Sequence, residues 1–181
     1  GADYVIANLS DPEFKLDAKT IPQFCNSIRK TVLGSEEIGS IGCIHIMGHL
    51  LLVEEETDVA SAIKVCDTLT PQAQYECYQG AFMENVTRNN LVIHGMAKPF
   101  PMNEAGASLQ EDICRQYTGL AAQACWRELA HIYTNIMRDP EQIQRRCSRA
   151  PTELAQDECY IHSMQVVIHD TASAKHETMV K

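Results

Sequence analysis

No stretch of this chain approaches the roughly 18 consecutive apolar residues that a membrane-spanning helix requires. Basic residues are scarce, with 15 Lys and Arg against 24 Asp and Glu, a formal net charge of -9 and a pI near 5.2. Sequence-independent binding to nucleic acid or to an anionic membrane needs clustered Lys and Arg, so both partners are set aside. Strand-like alternation of apolar and polar residues is nearly absent, which argues against a sheet. The eight cysteines form no C-x-x-C knuckle. No motif marks Ser, Lys or Cys as a catalytic nucleophile, and no catalytic residue is assigned.

What the sequence does hold is a regular placement of cysteine. Cys77 follows Cys43 by 34 residues, Cys159 follows Cys125 by 34, and the step from Cys77 to Cys125 is longer by 14. Cys25, Cys66, Cys114 and Cys147 each precede one of these, giving four units with a leading and a trailing cysteine. A longer offset of 82 aligns Cys43 and His49 with Cys125 and His131, and Cys77-Tyr78 with Cys159-Tyr160, as a duplicated pair of units would.

Each unit reads as two helices around a short turn. Val59, Ala62, Ile63 and Cys66 follow the spacing of a helix that buries one stripe. Asp58 is its N-cap, and Pro71 opens the next helix, where a missing N–H costs nothing. Small residues along Ala73, Cys77, Gly80 and Ala81 would let helices approach closely. Ser35-Glu36-Glu37, Ser108-x-x-Glu111, Asp139-Pro140-Glu141 and Pro151-Thr152-Glu153 give the remaining starts. The expectation is an all-α chain of four disulfide-stapled hairpins with a ~34-residue period, duplicated as two pairs, in a compact array or short solenoid. Its bounds are an N-terminal arm at 1–19, one domain at 20–170 with units 20–56, 57–90, 108–137 and 139–170, and a tail at 171–181. The prolines and glycines of 91–107 make that segment an insertion loop.

Residues equally far from a hairpin turn lie opposite each other, because both helices rise about 1.5 Å per residue. Cys66 stands five residues before Pro71 and Cys77 six after it, so the two can bridge. The same balance pairs Cys25 with Cys43, Cys114 with Cys125 and Cys147 with Cys159, one of the 105 connectivities that eight cysteines permit. Four disulfides imply an oxidising compartment, periplasmic or extracellular. The chain is expected to be a mature exported protein or an excised ectodomain, with glycosylation sequons at Asn8 and Asn85.

A 34-residue helix-turn-helix period with a bridge between its two helices resembles tetratricopeptide-like arrays, and in particular the Sel1-like, cysteine-stapled helical repeats. The resemblance covers about Thr20 to Asp170 and includes Cys77-Tyr-Gln-Gly80; the Trp, Leu-Gly and Tyr signature of the tetratricopeptide consensus is missing. It implies a superhelical surface that binds a protein or peptide.

Candidate chemistry centres on histidine. His45 and His49 have the i, i+4 spacing that lets two imidazoles meet one metal ion. Ile46 stands where a metalloprotease-type His-Glu-x-x-His would carry Glu, so hydrolysis of that type is not expected. Further ligands could come from His131, Met83, Glu84 or His94, a set suited to copper, zinc or haem. The competing reading makes His49 and His131 repeat-core residues that bond to a neighbouring backbone. Stepping through the period, His49, Met83, His131 and Gln165 form a ladder along the trailing helices. With Tyr78 and Glu84, Met83 and Gln165 would line a binding groove. Glu84 reads either as a buried acid or as a surface partner of Arg88. The leading expectation is an exported binding module for a protein or peptide; the alternative is a metal- or haem-handling protein using the His/Met/Glu cluster.

Overall fold

The computed structural model describes residues 15–32 and 38–179, with side chains for 15–26 and 42–169. Among the described residues the chain is helical and has no strand. Residues 1–14 of the expected arm at 1–19, the Ser35-Glu36-Glu37 start and the Asn8 sequon lie outside them. The chain divides into two compact units, Gly1–Ala81 and Phe82–Lys181.

In the first unit, α1 (Thr20–Val32) packs on α2 (Ile38–Glu54), and α2 packs on α3 (Val59–Cys66). The helix α4 (Pro71–Thr87) begins in this unit and runs across the boundary. Ile21, Phe24, Met47, Leu51, Leu52 and Ile63 form the core. Asp58 caps α3 as expected, its side chain accepting from the Ala60 N–H at 3.0 Å. Glycine decides the approach of α2 to α4. A Cβ on Gly48 would stand 2.2 Å from the Cys77 carbonyl oxygen, and one on Gly80 would stand 1.9 Å from the His45 carbonyl oxygen. The two backbones therefore touch at these residues, and no side chain fits between them.

The second unit holds the end of α4, then α5 (Asn89–Ile93), α6 (Glu104–Cys114), α7 (Gly119–Glu128), α8 (Ala130–Ile136), α9 (Pro140–Cys147) and α10 (Glu153–Met179). Helix α10 lies against α7, α8 and α9. Trp126, Leu129, Ile132, Tyr133 and Ile143 are buried between them. Asp139 caps α9 by accepting from the Glu141 N–H at 3.0 Å, with Pro140 in the first turn.

Two helix limits differ from the sequence reading. Helix α6 starts one turn before Ser108, because the Asn103 side chain accepts from the Ala105 and Gly106 N–H groups at 3.1 and 3.2 Å. Ser108 sits inside the helix, and the irregular part of the 91–107 segment shrinks to the residues between α5 and α6. Helix α10 continues to Met179, through the expected tail. Residues 171–179 contain no proline or glycine to stop it.

All four local disulfides are present, Cys25–Cys43, Cys66–Cys77, Cys114–Cys125 and Cys147–Cys159, with Cα separations of 5.4–5.6 Å. Loops of this size contribute roughly 2–3 kcal/mol each by restricting the unfolded chain. A second device ties α6, α8 and α9 together. The Glu111 carboxylate is 2% exposed. It accepts from Tyr133 Oη at 2.9 Å and pairs with Arg115, Arg146 and Arg149 at 3.0, 3.0 and 3.2 Å. Arg146 also pairs with Glu104 and lies over the Tyr133 ring. This clasp fixes α8, which carries His131.

Candidate metal centre

Glu128 is the last residue of α7 and His131 the second of α8, with Leu129 at the joint between the helices. His162 faces them from α10. Each of the three residues brings one ligand atom to within 4.8 Å of the others. The Glu128 Oε2 to His131 Nε2 distance is 3.2 Å, and the His131 and His162 rings meet edge to face with centroids 5.5 Å apart.

The electrostatics of this corner are incomplete. The Glu128 side chain is 3% exposed, yet its Oε2 has no hydrogen-bond partner, and neither has His131 Nε2. The 3.2 Å contact is close enough for an ion pair, but its angles are not those of a hydrogen bond, so both atoms are left poorly satisfied. Arg127 Nε lies 3.7 Å from Glu128 Oε1, while the same guanidinium donates from Nη1 to Glu158 Oε2 at 2.9 Å. Burial holds the His162 imidazole below its ordinary pKa, and Arg127 and His131 add to the depression against the opposing pull of Glu128. A neutral ring is the form that ligates metal. His162 Nδ1 lies 3.2 Å from Gln165 Oε1. With Nδ1 donating there, Nε2 becomes the ligating nitrogen, the arrangement that orients histidines in metal sites.

The residues named from the sequence separate into two groups. His45 and His49 meet on α2 with Nε2 atoms 3.2 Å apart. His131 joins a different cluster, whose other two members, Glu128 and His162, the sequence reading missed. A signal existed for each. Glu128-x-x-His131 is an i, i+3 pair on one helical face, and Glu158, His162 and Gln165 share a face of α10. The ladder register obscured the second, because it aligned His131 with Gln165 where the ring that faces it is His162.

The remaining candidates do other work. Glu84 is buried, as one of its two readings had it, but its carboxylate accepts from the Asn90 and Leu91 N–H groups at 2.7 and 3.0 Å and from Asn90 Nδ2 at 2.7 Å. It thereby supplies the N-terminal acceptor of α5, whose own N-cap, Arg88, offers none. Arg88 does not serve as its surface partner: the guanidinium donates to the Asn85 and Lys98 carbonyls and stacks on Phe100. Tyr78 does not line a groove. It is 4% exposed, and its hydroxyl donates to Asp67 Oδ1 at 2.6 Å, so burial and that bond push its pKa up. Met83 is half-buried, His94 is exposed at the end of α5, and Gln165 is exposed beside His162. Asn85, the second sequon, is buried and donates to Gln110 Oε1 at 2.7 Å.

No helix among the described residues is long and apolar enough to cross a membrane. No family model matches the chain, and no curated protein and no solved structure matches it.

Proposed function

We propose that this chain is an exported, disulfide-stapled helical protein that binds one divalent transition-metal ion through Glu128, His131 and His162. The observation that carries the reading is the buried Glu128 carboxylate, whose Oε2 makes no hydrogen bond yet lies 3.2 Å from His131 Nε2, with His162 bringing a ligand atom to within 4.8 Å. A carboxylate out of water costs several kcal/mol unless it is paired. Arg127 shares its charge with Glu158, and a cation between the three side chains would supply the missing compensation.

The donor set narrows the metal. Two imidazoles and one carboxylate suit zinc, copper(II) or iron(II); calcium and magnesium prefer all-oxygen shells. All eight cysteines are in disulfides, so no thiolate competes. Ligand bonds of about 2.0–2.1 Å in a tetrahedron set ligand atoms roughly 3.4 Å apart. The Glu128–His131 edge already has that span, and His162 brings its ligand atom to within 4.8 Å of both. Three protein ligands leave a position open for water, as in sites that transfer or use their metal.

The test is a titration of tag-free, chelator-stripped protein with Zn(II). One equivalent should bind at the second unit, and Zn(II) at 100 times its Kd should stabilise the fold by about 2.7 kcal/mol. For a chain of this size that raises Tm by about 5–10 °C. Glu128→Gln and His162→Gln should each abolish the rise; an unchanged Tm in the parent protein refutes the reading.

A second reading has its own observation. Leu154, Ile161 and Ile168 are exposed on one face of α10 at heptad spacing, flanked by Glu153 and Asp157. That stripe supports the protein partner implied by the tetratricopeptide-like resemblance. The occupant it fits is an amphipathic helix with an apolar seam and flanking Lys or Arg.

A further inference from the structure

The first unit carries a histidine pair that the centre at Glu128 does not use. His45 and His49 stand one turn apart on α2, both half-buried, with Nε2 atoms 3.2 Å apart and ring centroids 5.0 Å apart at 63°. A metal ion bound by two imidazoles at about 2.0–2.1 Å holds the nitrogens roughly 3.4 Å apart in a tetrahedron and about 2.9 Å apart at a right angle. The observed spacing falls between these limits. A chelate could form here with little movement of either ring.

The helical turn that presents the pair is held on its other side. Gly48 and Gly80 bring α2 and α4 into backbone contact, and the space a Gly80 Cβ would need is taken by the His45 carbonyl oxygen. Cys77, whose carbonyl fills the corresponding space at Gly48, is stapled to Cys66. The turn is thus clamped before any ligand arrives, which lowers the ordering cost of binding. Solvent reaches it, since neither His45 nor His49 is fully buried.

We infer that His45 and His49 form a second, bidentate site for Cu(II), independent of the centre at Glu128. Two neutral nitrogens favour Cu(II) over Zn(II), following the general order of divalent affinities. On binding, the ring that holds its proton on Nε2 carries it on Nδ1, so both Nε2 lone pairs face the ion. Water fills the remaining positions, so the ion stays exchangeable.

The experiment is a Cu(II) titration of tag-free full-length protein by calorimetry. The Glu128→Gln, His162→Gln double variant isolates the proposed site. It should still take up one equivalent, and adding His45→Gln should weaken that equivalent about tenfold or more. Far-UV circular dichroism identifies any variant that has lost its fold, and His49→Gln provides the second readout; both changes leave the His45 carbonyl contact at Gly80 in place. Retained uptake of the same equivalent at the same affinity after both histidine changes overturns the inference, as does absence of binding in the folded double variant. Neither outcome bears on whether the parent protein binds at Glu128.

Discussion

Replacing Glu111 with glutamine keeps the shape of the clasp and removes its charge. The consequence can be worked from its partners. Arg115 and Arg149 are about half exposed, so water compensates most of what they lose, and surface pairs of this kind contribute about 0–1 kcal/mol. Arg146 is 15% exposed, and Tyr133 is fully buried with its hydroxyl on Glu111. Breaking a buried pair by removing one partner costs about 3–5 kcal/mol. The remaining Arg146–Glu104 contact and the amide oxygen of glutamine return part of that, leaving an expected loss of about 2–4 kcal/mol. Chemical denaturation of the oxidised protein reads it directly, as a lower midpoint with an unchanged slope; in a thermal scan it corresponds to a fall of roughly 5–15 °C. Combining Glu111→Gln with Arg146→Met should recover part of the loss, because the stranded cation is then gone. A loss below about 1 kcal/mol, or a double variant less stable than the single, would refute the view that a buried carboxylate holds α6, α8 and α9 in register.

Other outcomes follow from burial and exposure. Expressed in a eukaryotic secretory pathway, the folded chain should carry no glycan at Asn85, whose amide is buried against Gln110, and peptide mass spectrometry after glycosidase treatment in heavy-oxygen water would reveal one. Ile161→Glu should leave Tm within about 1 °C, since the side chain is exposed, while abolishing capture of a basic amphipathic helical peptide; equal binding by parent and variant removes the α10 stripe as a docking seam.

The parts of this structure legible in the sequence are those set by short-range spacing. The 3.6-residue periodicity gave the helices, Asp58 and Asp139 gave two of their starts, and the balance of cysteines about each turn gave the disulfide pairing. His45 and His49 were legible for the same reason, being one turn apart on one helix. The candidate centre was legible only in part. Glu128 and His131 lie within one helical turn, but His162 reaches them because α10 packs along α7 and α8, and that register is set by the buried faces of Trp126, Leu129 and Tyr133. Tyr78 misled for a related reason: its position suggested a groove, and its burial was decided by Asp67, which stands across the hairpin to accept its hydroxyl.

The central claim is that Glu128, His131 and His162 hold one metal ion. Anomalous diffraction at the zinc absorption edge, from crystals of tag-free protein grown with stoichiometric Zn(II), tests it most directly. The account predicts an anomalous peak bonded to Glu128 Oε2 and to one nitrogen from each of the two imidazoles. Zinc absent from that corner, with the Glu128 carboxylate turned onto Arg127, would contradict it.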